Sequence, residues 1–213
     1  YHVLRAERWL VGAPGAPWRD PALDWPRGAD VPWPPLFDAI LAGTARAIEG
    51  PIVERDDLVA VAAVLPVVFG LLFVALSAAL GRRVLGPGHG WITALVVALV
   101  AAGVDPSRLG RADQHVLETV LFTALLVAFL PGSEQGRRVV PGLAASAIVA
   151  LAFWSWMGSA LHLLVVLAAA ALLHLLPRRP DGTHPADHGS AVLAIGGLGG
   201  AALLAATVAA WGR

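Results

Sequence analysis

The amino-acid sequence predicts an all-α membrane protein, a polytopic helical bundle with about six transmembrane helices. Of its 213 residues, 57% are hydrophobic and only 14% are charged, whereas about a quarter of a soluble domain is charged. An uncharged run at residues 58–80 is long enough to cross a bilayer as a helix, which takes about 20 residues. Further apolar runs follow, and arginine pairs stand between them, as expected of a multi-pass protein.

The first 57 residues are the polar part of the chain, and we expect them to form a long extracytoplasmic loop with interfacial helices. Residues 1–11 alternate apolar and charged side chains at helical spacing, which predicts a short amphipathic helix. Residues 12–35, called the tryptophan-proline loop below, contain many prolines, which exclude a continuous helix or a central strand. Their indole rings favour the headgroup level of a membrane. Residues 36–48 again have helical spacing and should lie along the interface.

The remaining residues, 58–213, form the predicted transmembrane bundle. Its six apolar segments are residues 58–80, 91–104, 120–130, 139–156, 159–176 and 191–211. We expect Pro66 to kink the first of them. The second is short for a crossing unless its polar ends or neighbouring helices extend it. The last is rich in Gly and Ala, a composition that favours close helix packing.

A polar island at residues 110–118 separates two of the apolar segments and holds Asp113, His115 and Glu118. Between residues 58 and 176 the only acids are Asp105, Asp113, Glu118 and Glu134, and three of them lie in or beside the island. Ionisable groups at a membrane boundary are costly, so their presence indicates function.

Charge predicts which side of the membrane the island faces. Three connections that fall on one side each carry an arginine pair: Arg82-Arg83, Arg137-Arg138 and Arg178-Arg179. That side should be cytoplasmic, because cytoplasmic loops carry an excess of basic residues. Residues 1–57 and the polar island then share the extracytoplasmic side. Arg108 and Arg111 also fall on this outer side, against the rule, and a loop that binds an anion would account for them.

Two interpretations of the island remain open at this point. In the first, Asp113 caps the following helix through backbone N–H groups, and Glu118 interacts favourably with the helix dipole. In the second, Asp113 and His115 turn to one divalent ion, and Glu118 lies on the same helical face as His115. Carboxylate with imidazole suits Mn²⁺ or Zn²⁺, and carboxylate alone suits Mg²⁺.

Composition also excludes several classes of function. The chain has no Cys, which excludes disulfides and thiol catalysis. Its formal net charge is zero, which gives no support for nucleic-acid binding, so we expect no nucleic acid among its partners. His162 and His174 lie within apolar segments, where packed and hydrogen-bonded side chains are more usual than metal ligands.

Three motifs in this order resemble those of one enzyme family. They are Tyr1-His2-Val3-Leu4-Arg5, Trp33-Pro34-Pro35-Leu36-Phe37-Asp38 and Gly110-Arg111-Ala112-Asp113-Gln114-His115. The set resembles the catalytic subunit of oligosaccharyltransferase, a polytopic glycosyltransferase of the GT-C superfamily that attaches a lipid-linked glycan to Asn. Trp156-Met157-Gly158 is also similar to the family's Trp-X-Gly element. The resemblance covers residues 1 to about 160.

The resemblance implies a fold, a reaction and a site. It implies a GT-C bundle in the cell (inner) membrane, with a long first extracytoplasmic loop and an extracytoplasmic active site. The donor would be a polyprenyl-(di)phosphate-linked oligosaccharide, the acceptor an Asn of a protein, and the cofactor Mn²⁺ or Mg²⁺. Asp113 would be catalytic as a metal ligand, together with His115 as the second ligand. The expected substrate-binding residues are Arg5, Trp33, Arg108 and Glu118, with Arg5 and residues 33–38 shaping the external loop.

The resemblance further implies that the chain is a fragment, with the family's first acidic motif expected before Tyr1 and a soluble domain expected after the bundle. A third metal carboxylate from a later loop has no match, so we expect the chain to be inactive alone. One alternative is another GT-C transferase that uses a polyprenyl-phosphate monosaccharide. The other is a non-enzymatic transporter or scaffold, which predicts that Asp113 and His115 point apart.

Overall fold

The structure is a computed structural model that describes residues 1–130, 139–176 and 187–211. Over these residues the chain is mostly helical, which confirms the helical class predicted from sequence. The α-helices are α1 (His2–Leu10), α2 (Leu36–Glu49), α3 (Arg55–Leu85), α4 (Gly90–Leu99), α5 (Ala101–Val104), α6 (His115–Phe129), α7 (Val139–Ser155), α8 (Ser159–Leu173) and α9 (Asp187–Trp211). Two 3₁₀ turns, Pro87–His89 and Asp105–Ser107, lie before α4 and after α5.

The tryptophan-proline loop contains a small sheet that the sequence analysis did not predict. Strands β1 (Arg19–Asp20) and β2 (Ala29–Asp30) pair antiparallel, with Arg19 opposite Asp30. Each strand is only two residues long, since the prolines around them remove backbone donors. The expectation that no continuous helix or central strand forms in residues 12–35 is confirmed, but the chain is not purely α-helical.

Helix α3 is longer than the apolar run that predicts it. It begins at Arg55 and ends at Leu85, with acids in its first turn and Arg82 and Arg83 in its last turn. Both charge patterns stabilise a helix through its dipole. The sequence analysis placed the first arginine pair in a loop, but it lies within the last turn of α3. The other two pairs, Arg137-Arg138 and Arg178-Arg179, lie outside the described residues.

The segment predicted at residues 91–104 is two helices. The chain leaves α-helical geometry at Val100, whose ψ is 118°, and this extended residue separates α4 from α5. The 3₁₀ turn Asp105–Ser107 then follows α5 directly. With 10 residues, α4 is shorter than the length of about 20 that a full crossing takes.

Two helices among the described residues are long and apolar enough to cross a membrane, Arg55–Leu85 and Gly189–Ala206. The other predicted spans form apolar helical segments of 10–17 residues, below the length of about 20 that a full crossing takes. The structure thus supports apolar helices at every predicted position, while the count of six crossings stays a prediction.

The described residues belong to two compact units. The first unit comprises Tyr1–Val74, Val96–Val120 and Trp154–Met157, and so holds both the tryptophan-proline loop and the polar island. The second unit holds the described residues within Ala75–Leu95, Leu121–Phe153 and Gly158–Arg213. The division predicted from sequence, at residues 57 and 58, follows the expected membrane boundary and stays a prediction.

A buried ion pair joins the first two helices of the first unit. Arg5 of α1 is 3% exposed and Asp38 of α2 is fully buried, and Arg5 Nη1 lies 2.8 Å from Asp38 Oδ2. His2 Nδ1 lies 2.6 Å from the other carboxylate oxygen. Arg5 Nη2 also donates to the carbonyl oxygens of Pro17 at 3.3 Å and Trp33 at 3.4 Å. One guanidinium therefore holds α1, the loop and α2 together.

A second buried carboxylate, Asp20, connects α1 to strand β1. Its oxygens accept hydrogen bonds from the Tyr1 hydroxyl, Arg8 Nη1 and the Ala22 N–H, each at 2.8 Å. Burial acts to raise the pKa of Asp20, but these three donors together hold it below its usual value. Burial and the hydrogen bond to Asp20 raise the pKa of Tyr1 to about 12.

Close helix packing organises the second unit. Its buried apolar core is formed by Leu125, Phe129, Ala145, Val149, Val166, Ala170 and Val192. A Cβ at Gly142 would lie 2.8 Å from the Ile195 side chain, and one at Gly196 would lie 2.9 Å from Ala145 Cβ. Helices α7 and α9 therefore approach as closely as the glycine-rich pattern predicts.

The two histidines in apolar segments also lie in the second unit. His174 Nε2 lies 2.8 Å from the Ser190 hydroxyl, and the His162 ring stacks on Phe122 with centroids 4.6 Å apart. His162 is packed as the sequence analysis expected, whereas His174 is exposed and hydrogen-bonded.

Removal of Asp38 should destabilise the first unit strongly. In Asp38→Ala the Arg5 charge stays buried without its partner, which costs about 3–5 kcal/mol of unfolding free energy. Denaturant unfolding of the intact protein in detergent, followed by tryptophan fluorescence, measures the loss. The control is Asp30→Ala, since the Asp30 side chain is 87% exposed and its pair with Arg19 is a surface contact. Equal losses of unfolding free energy in the two variants would contradict the proposed contribution of the buried pair to stability.

Acid should weaken the first unit through Asp20. Because its folded pKa lies below the unfolded value, the ionised carboxylate stabilises the fold above about pH 4, and this contribution is lost as the pH falls through the folded pKa. We expect the unfolding free energy to fall below about pH 4 and to fall less steeply in Asp20→Asn. A pH series of unfolding curves tests this, and identical acid slopes in both proteins would refute it.

Candidate functional site

The loop that leads into the polar island runs along helix α3. Ser107 packs against Gly70, where an added Cβ would lie only 2.6 Å from Ser107 Cβ. Further on, the Gly110 N–H donates to the Ala63 carbonyl oxygen at 3.0 Å. Residues 63 and 70 are about 10 Å apart along a helix axis. Irregular chain thus follows α3 for about two turns, and α3 positions the island.

Two local features favour this path. Pro66 lies in α3 between these two contacts and has no N–H, so the helix ladder is already interrupted there. Gly110 has φ +82°, in the left-handed region that glycine adopts without a steric penalty. The chain turns at this glycine, and the charged residues Arg111 and Asp113 follow it.

Asp113 lies at the start of α6 and makes the capping contact that the first interpretation predicted. Its Oδ1 accepts a hydrogen bond from the His115 N–H at 2.9 Å. The same oxygen lies 4.0 Å from Nε2 of the His115 ring, and the Asp113 side chain is 19% exposed. The carboxylate therefore caps the helix and faces the imidazole at once, so the two interpretations do not exclude each other.

The opposite ring nitrogen of His115 contacts Glu118. Nδ1 lies 2.9 Å from Glu118 Oε2, one helical turn further along α6. Both residues precede the apolar run at residues 120–130. The hydrogen bond to Glu118 raises the pKa of His115, and burial raises the pKa of Glu118. The ring of Trp156 packs edge-on against His115, with centroids 6.1 Å apart.

These donors fit a divalent cation. Asp113 supplies carboxylate oxygen and His115 supplies imidazole nitrogen, a set that suits Mn²⁺, Zn²⁺ or, with more oxygen, Mg²⁺. Two further oxygens, Glu118 Oε1 and Gln114 Oε1, are buried without a hydrogen-bond partner in the described part of the chain. Over the same described ranges no three or more acids, histidines or cysteines converge on one point. The island therefore offers part of a coordination shell.

Arginines stand beside these ligands. Asp105 pairs with Arg108 Nη2 at 2.5 Å and with Arg111, and Arg111 Nε lies 3.3 Å from Asp113 Oδ2. The side chain of Arg108 is 62% exposed and that of Arg111 is 43% exposed. A guanidinium has five N–H donors, so each retains donors for a further anion. The contact of Arg111 with Asp113 was absent from the predicted site, although its position two residues before Asp113 in an irregular loop could have indicated it.

Arg5 and Trp33 lie away from these contacts. Arg5 is 3% exposed and its charge is already balanced by Asp38, so its placement supports the loop-shaping role. Trp33 packs edge-on against Tyr1 at 5.5 Å, and its carbonyl accepts from Arg5. Arg5 has almost no surface to offer a substrate, whereas Trp33 is half-buried and its predicted substrate contact stays a prediction.

Two tryptophan contacts connect the tryptophan-proline loop to the island within the first unit. Trp18 packs edge-on against Trp154 with centroids 6.3 Å apart. Two residues along, Trp156 contacts His115. Both rings belong to the short stretch around the buried Ser155, which is fully inaccessible. The loop and the charged residues are thus parts of one packed assembly.

A family model described as Oligosaccharyl transferase STT3, N-terminal, matches residues 6–188, which include the island and the whole tryptophan-proline loop. The chain belongs to this family. The resemblance seen in the three motifs is therefore confirmed.

Individual family members agree. The chain is 31% identical over 175 residues to "Dolichyl-phosphooligosaccharide-protein glycotransferase 1" of Archaeoglobus fulgidus, covering 82% of this chain and 28% of the relative. The apo crystal structure of an A. fulgidus oligosaccharyltransferase superposes with a TM-score of 0.75 at 21% identity, over 94% of this chain and 24% of that one. A structure of that enzyme with Zn and sulfate superposes with a TM-score of 0.66 at 18% identity, over 94% of this chain and 30% of that one. The chain spans about a quarter to a third of the length of these oligosaccharyltransferases.

The turn at Gly110 should be sensitive to a side chain. In Gly110→Ala the left-handed φ is strained, and we expect a loss of about 1–2 kcal/mol of unfolding free energy. The matched control is Gly43→Ala within α2, where an added Cβ has no neighbour within 4 Å. That substitution should stabilise the helix by about 0.5–1 kcal/mol. Unfolding in detergent measures both, and effects of the same sign would contradict the argument.

Proposed function

We propose that the protein is part of the catalytic subunit of an oligosaccharyltransferase, which moves a glycan from a polyprenyl-(di)phosphate carrier to an Asn of a protein acceptor. Membership of the STT3 family supports the reaction class. The name of the A. fulgidus relative describes a dolichyl-linked oligosaccharide donor and a protein acceptor, which supports the same pair of substrates here. Because the chain covers 28% of that relative, other parts of the whole protein would contribute to both substrate sites.

The proposed location is the cell (inner) membrane, as a multi-pass protein with its active site on the extracytoplasmic face. Two helices long enough to cross a membrane support the location. The hydrogen bond of Gly110 to Ala63 supports a location of the island on the same membrane side as residues 1–57, because Ala63 lies in the N-terminal part of α3. A boundary site suits the reaction, since the lipid tail of the donor stays in the bilayer while the acceptor stays in water.

The observation that carries the proposal is the pair Asp113 and His115, with Oδ1 and Nε2 4.0 Å apart on one side of the island. These two side chains would hold Mn²⁺ or Mg²⁺, and a structural relative that contains Zn supports a divalent ion in this family. Such an ion supplies Lewis-acid neutralisation of charge on a leaving phosphate, worth several kcal/mol.

Residues in and beside the island would bind the donor phosphate and orient the His115 ring. Arg108 and Arg111 are exposed and would donate hydrogen bonds to phosphate oxygens of the donor. Asp105 pairs with both guanidinium groups and so fixes their positions. A sulfate is present in a structural relative, which is consistent with an anion-binding surface in the family. Trp156 limits the rotation of the His115 ring by packing on it.

The scaffold alternative receives no support from the geometry. It requires that Asp113 and His115 point apart, whereas their polar atoms face each other. A GT-C transferase with a monosaccharide donor differs from the proposal only in its substrate, and the experiment below distinguishes the two.

Asp113→Ala in the intact protein should abolish glycan transfer and leave membrane insertion unchanged. Loss of several kcal/mol of charge stabilisation corresponds to a rate decrease of more than about 100-fold. Transfer from a polyprenyl-diphosphate oligosaccharide to an Asn-containing peptide is measured by gel shift, and insertion by membrane fractionation.

Asp30→Ala is the control for this experiment, because Asp30 is an exposed acid of strand β2. It should transfer glycan at the unsubstituted rate. Retained transfer in Asp113→Ala would count against the site. Activity with a polyprenyl-phosphate monosaccharide in place of the oligosaccharide would favour the other GT-C reaction.

A further inference from the structure

The two ring nitrogens of His115 have different surroundings. Nδ1 lies 2.9 Å from Glu118 Oε2, and Nε2 faces Asp113 Oδ1 at 4.0 Å. An ionised carboxylate only accepts hydrogen bonds, so with Glu118 ionised the 2.9 Å contact places the proton on Nδ1. In the neutral imidazole Nε2 then carries a lone pair, and that lone pair points toward the side on which Asp113 lies.

Glu118 is held in place by packing. It is 6% exposed, and its chain neighbours Leu117, Val120 and Leu121 are 5%, 5% and 7% exposed. It lies three residues after His115 on α6, which brings the two side chains to the same helical face. Among the described residues the carboxylate thus has one hydrogen-bond partner, His115, and its low exposure leaves it little freedom to turn into water.

A carboxylate at position 118 does not favour the stability of the fold. Glu118 Oε1 is buried without a hydrogen-bond partner among the described residues, and an unsatisfied buried polar atom costs about 1–3 kcal/mol. An apolar side chain of similar size would avoid this cost. The low exposure also leaves almost no carboxylate surface for the direct substrate contact that the sequence analysis expected.

We propose that Glu118 is a positioning residue that fixes the Nδ1–H tautomer of His115 and aims Nε2 at a divalent cation shared with Asp113. The inference rests on the proposed metal role of Asp113 and His115. Trp156 packs edge-on against the same ring and opposes a ring flip, so two side chains set its orientation. Carboxylate partners of metal-ligating histidines typically change metal affinity by 10–100-fold.

The test measures Mn²⁺ affinity of the intact protein in detergent, with the free ion followed by electron paramagnetic resonance. Glu118→Met removes the acceptor at nearly constant volume and should raise the Kd for Mn²⁺ by about 10–100-fold. Glu118→Gln keeps an amide oxygen that accepts from Nδ1–H, so its Kd should rise less. Glu49→Gln, a change of an exposed acid at the end of α2, is the matched control and should leave the Kd unchanged.

Two further readouts distinguish positioning from a structural role. The ¹⁵N chemical shifts of the His115 ring should report the Nδ1–H tautomer in the unsubstituted protein and a tautomer mixture in Glu118→Met. Thermal unfolding of Glu118→Met should occur at an equal or higher temperature, because the unsatisfied carboxylate is gone. A merely structural role would lower stability and affinity together and leave the tautomer unchanged.

Asp113→Ala separates the two proposals. If it abolishes Mn²⁺ binding while Glu118→Met and Glu118→Gln bind with unchanged Kd, the positioning role is overturned and the metal site stands. If Asp113→Ala binds Mn²⁺ as before, both proposals are overturned. Should Glu118→Met fail to fold, Glu118→Leu takes its place, because it also removes the acceptor, and an unchanged Kd for Mn²⁺ in that variant overturns the positioning role.

Discussion

The ion pair between Arg5 and Asp38 is the contact on which the first unit depends. Neither charge is tolerable in its buried position without the other, because the desolvation of a lone ion costs several kcal/mol. The same guanidinium bonds the carbonyl oxygens of Pro17 and Trp33, so α1 cannot pack on α2 without also ordering the loop between them. That loop in turn places Trp18 against Trp154, next to the residues that contact His115.

The same requirement, that buried polar groups find partners, shapes the island. Its loop runs along an apolar helix, and one of its backbone donors is satisfied by the Ala63 carbonyl of α3. Asp113 satisfies the first N–H of α6 and Glu118 satisfies a nitrogen of His115. Among the described residues, the buried oxygens without a hydrogen-bond partner include Gln114 Oε1 and Glu118 Oε1, both in the island, where a cation would be bound. The same few residues thus both satisfy buried polar groups of the fold and lie at the proposed metal site.

Exposure divides the charged residues of the first unit into two groups with different roles. Arg5 and Asp38 are buried and hold helices together. The side chains of Arg108 and His115 are 62% and 55% exposed, so they remain available to a ligand. This difference is why we propose chemistry for the island and a structural role for the cluster around α1. Both clusters carry arginine and acid in similar proportions, so residue type alone does not separate them.

The sequence by itself determined the elements that depend on local pattern. Apolar runs and helical spacing predicted α1 and α2 to within one residue at each end and an apolar helix at each later position, and Asp113, His115 and Glu118 stood out because charges are rare there. Only the tertiary structure decided which residues meet. The break at Val100, the pairing of Arg5 with Asp38 and the turning of Glu118 toward His115 depend on packing between distant segments. Spacing along a chain defines a helical face, but burial and partner distance, which assign each charge its role, arise only after the segments pack.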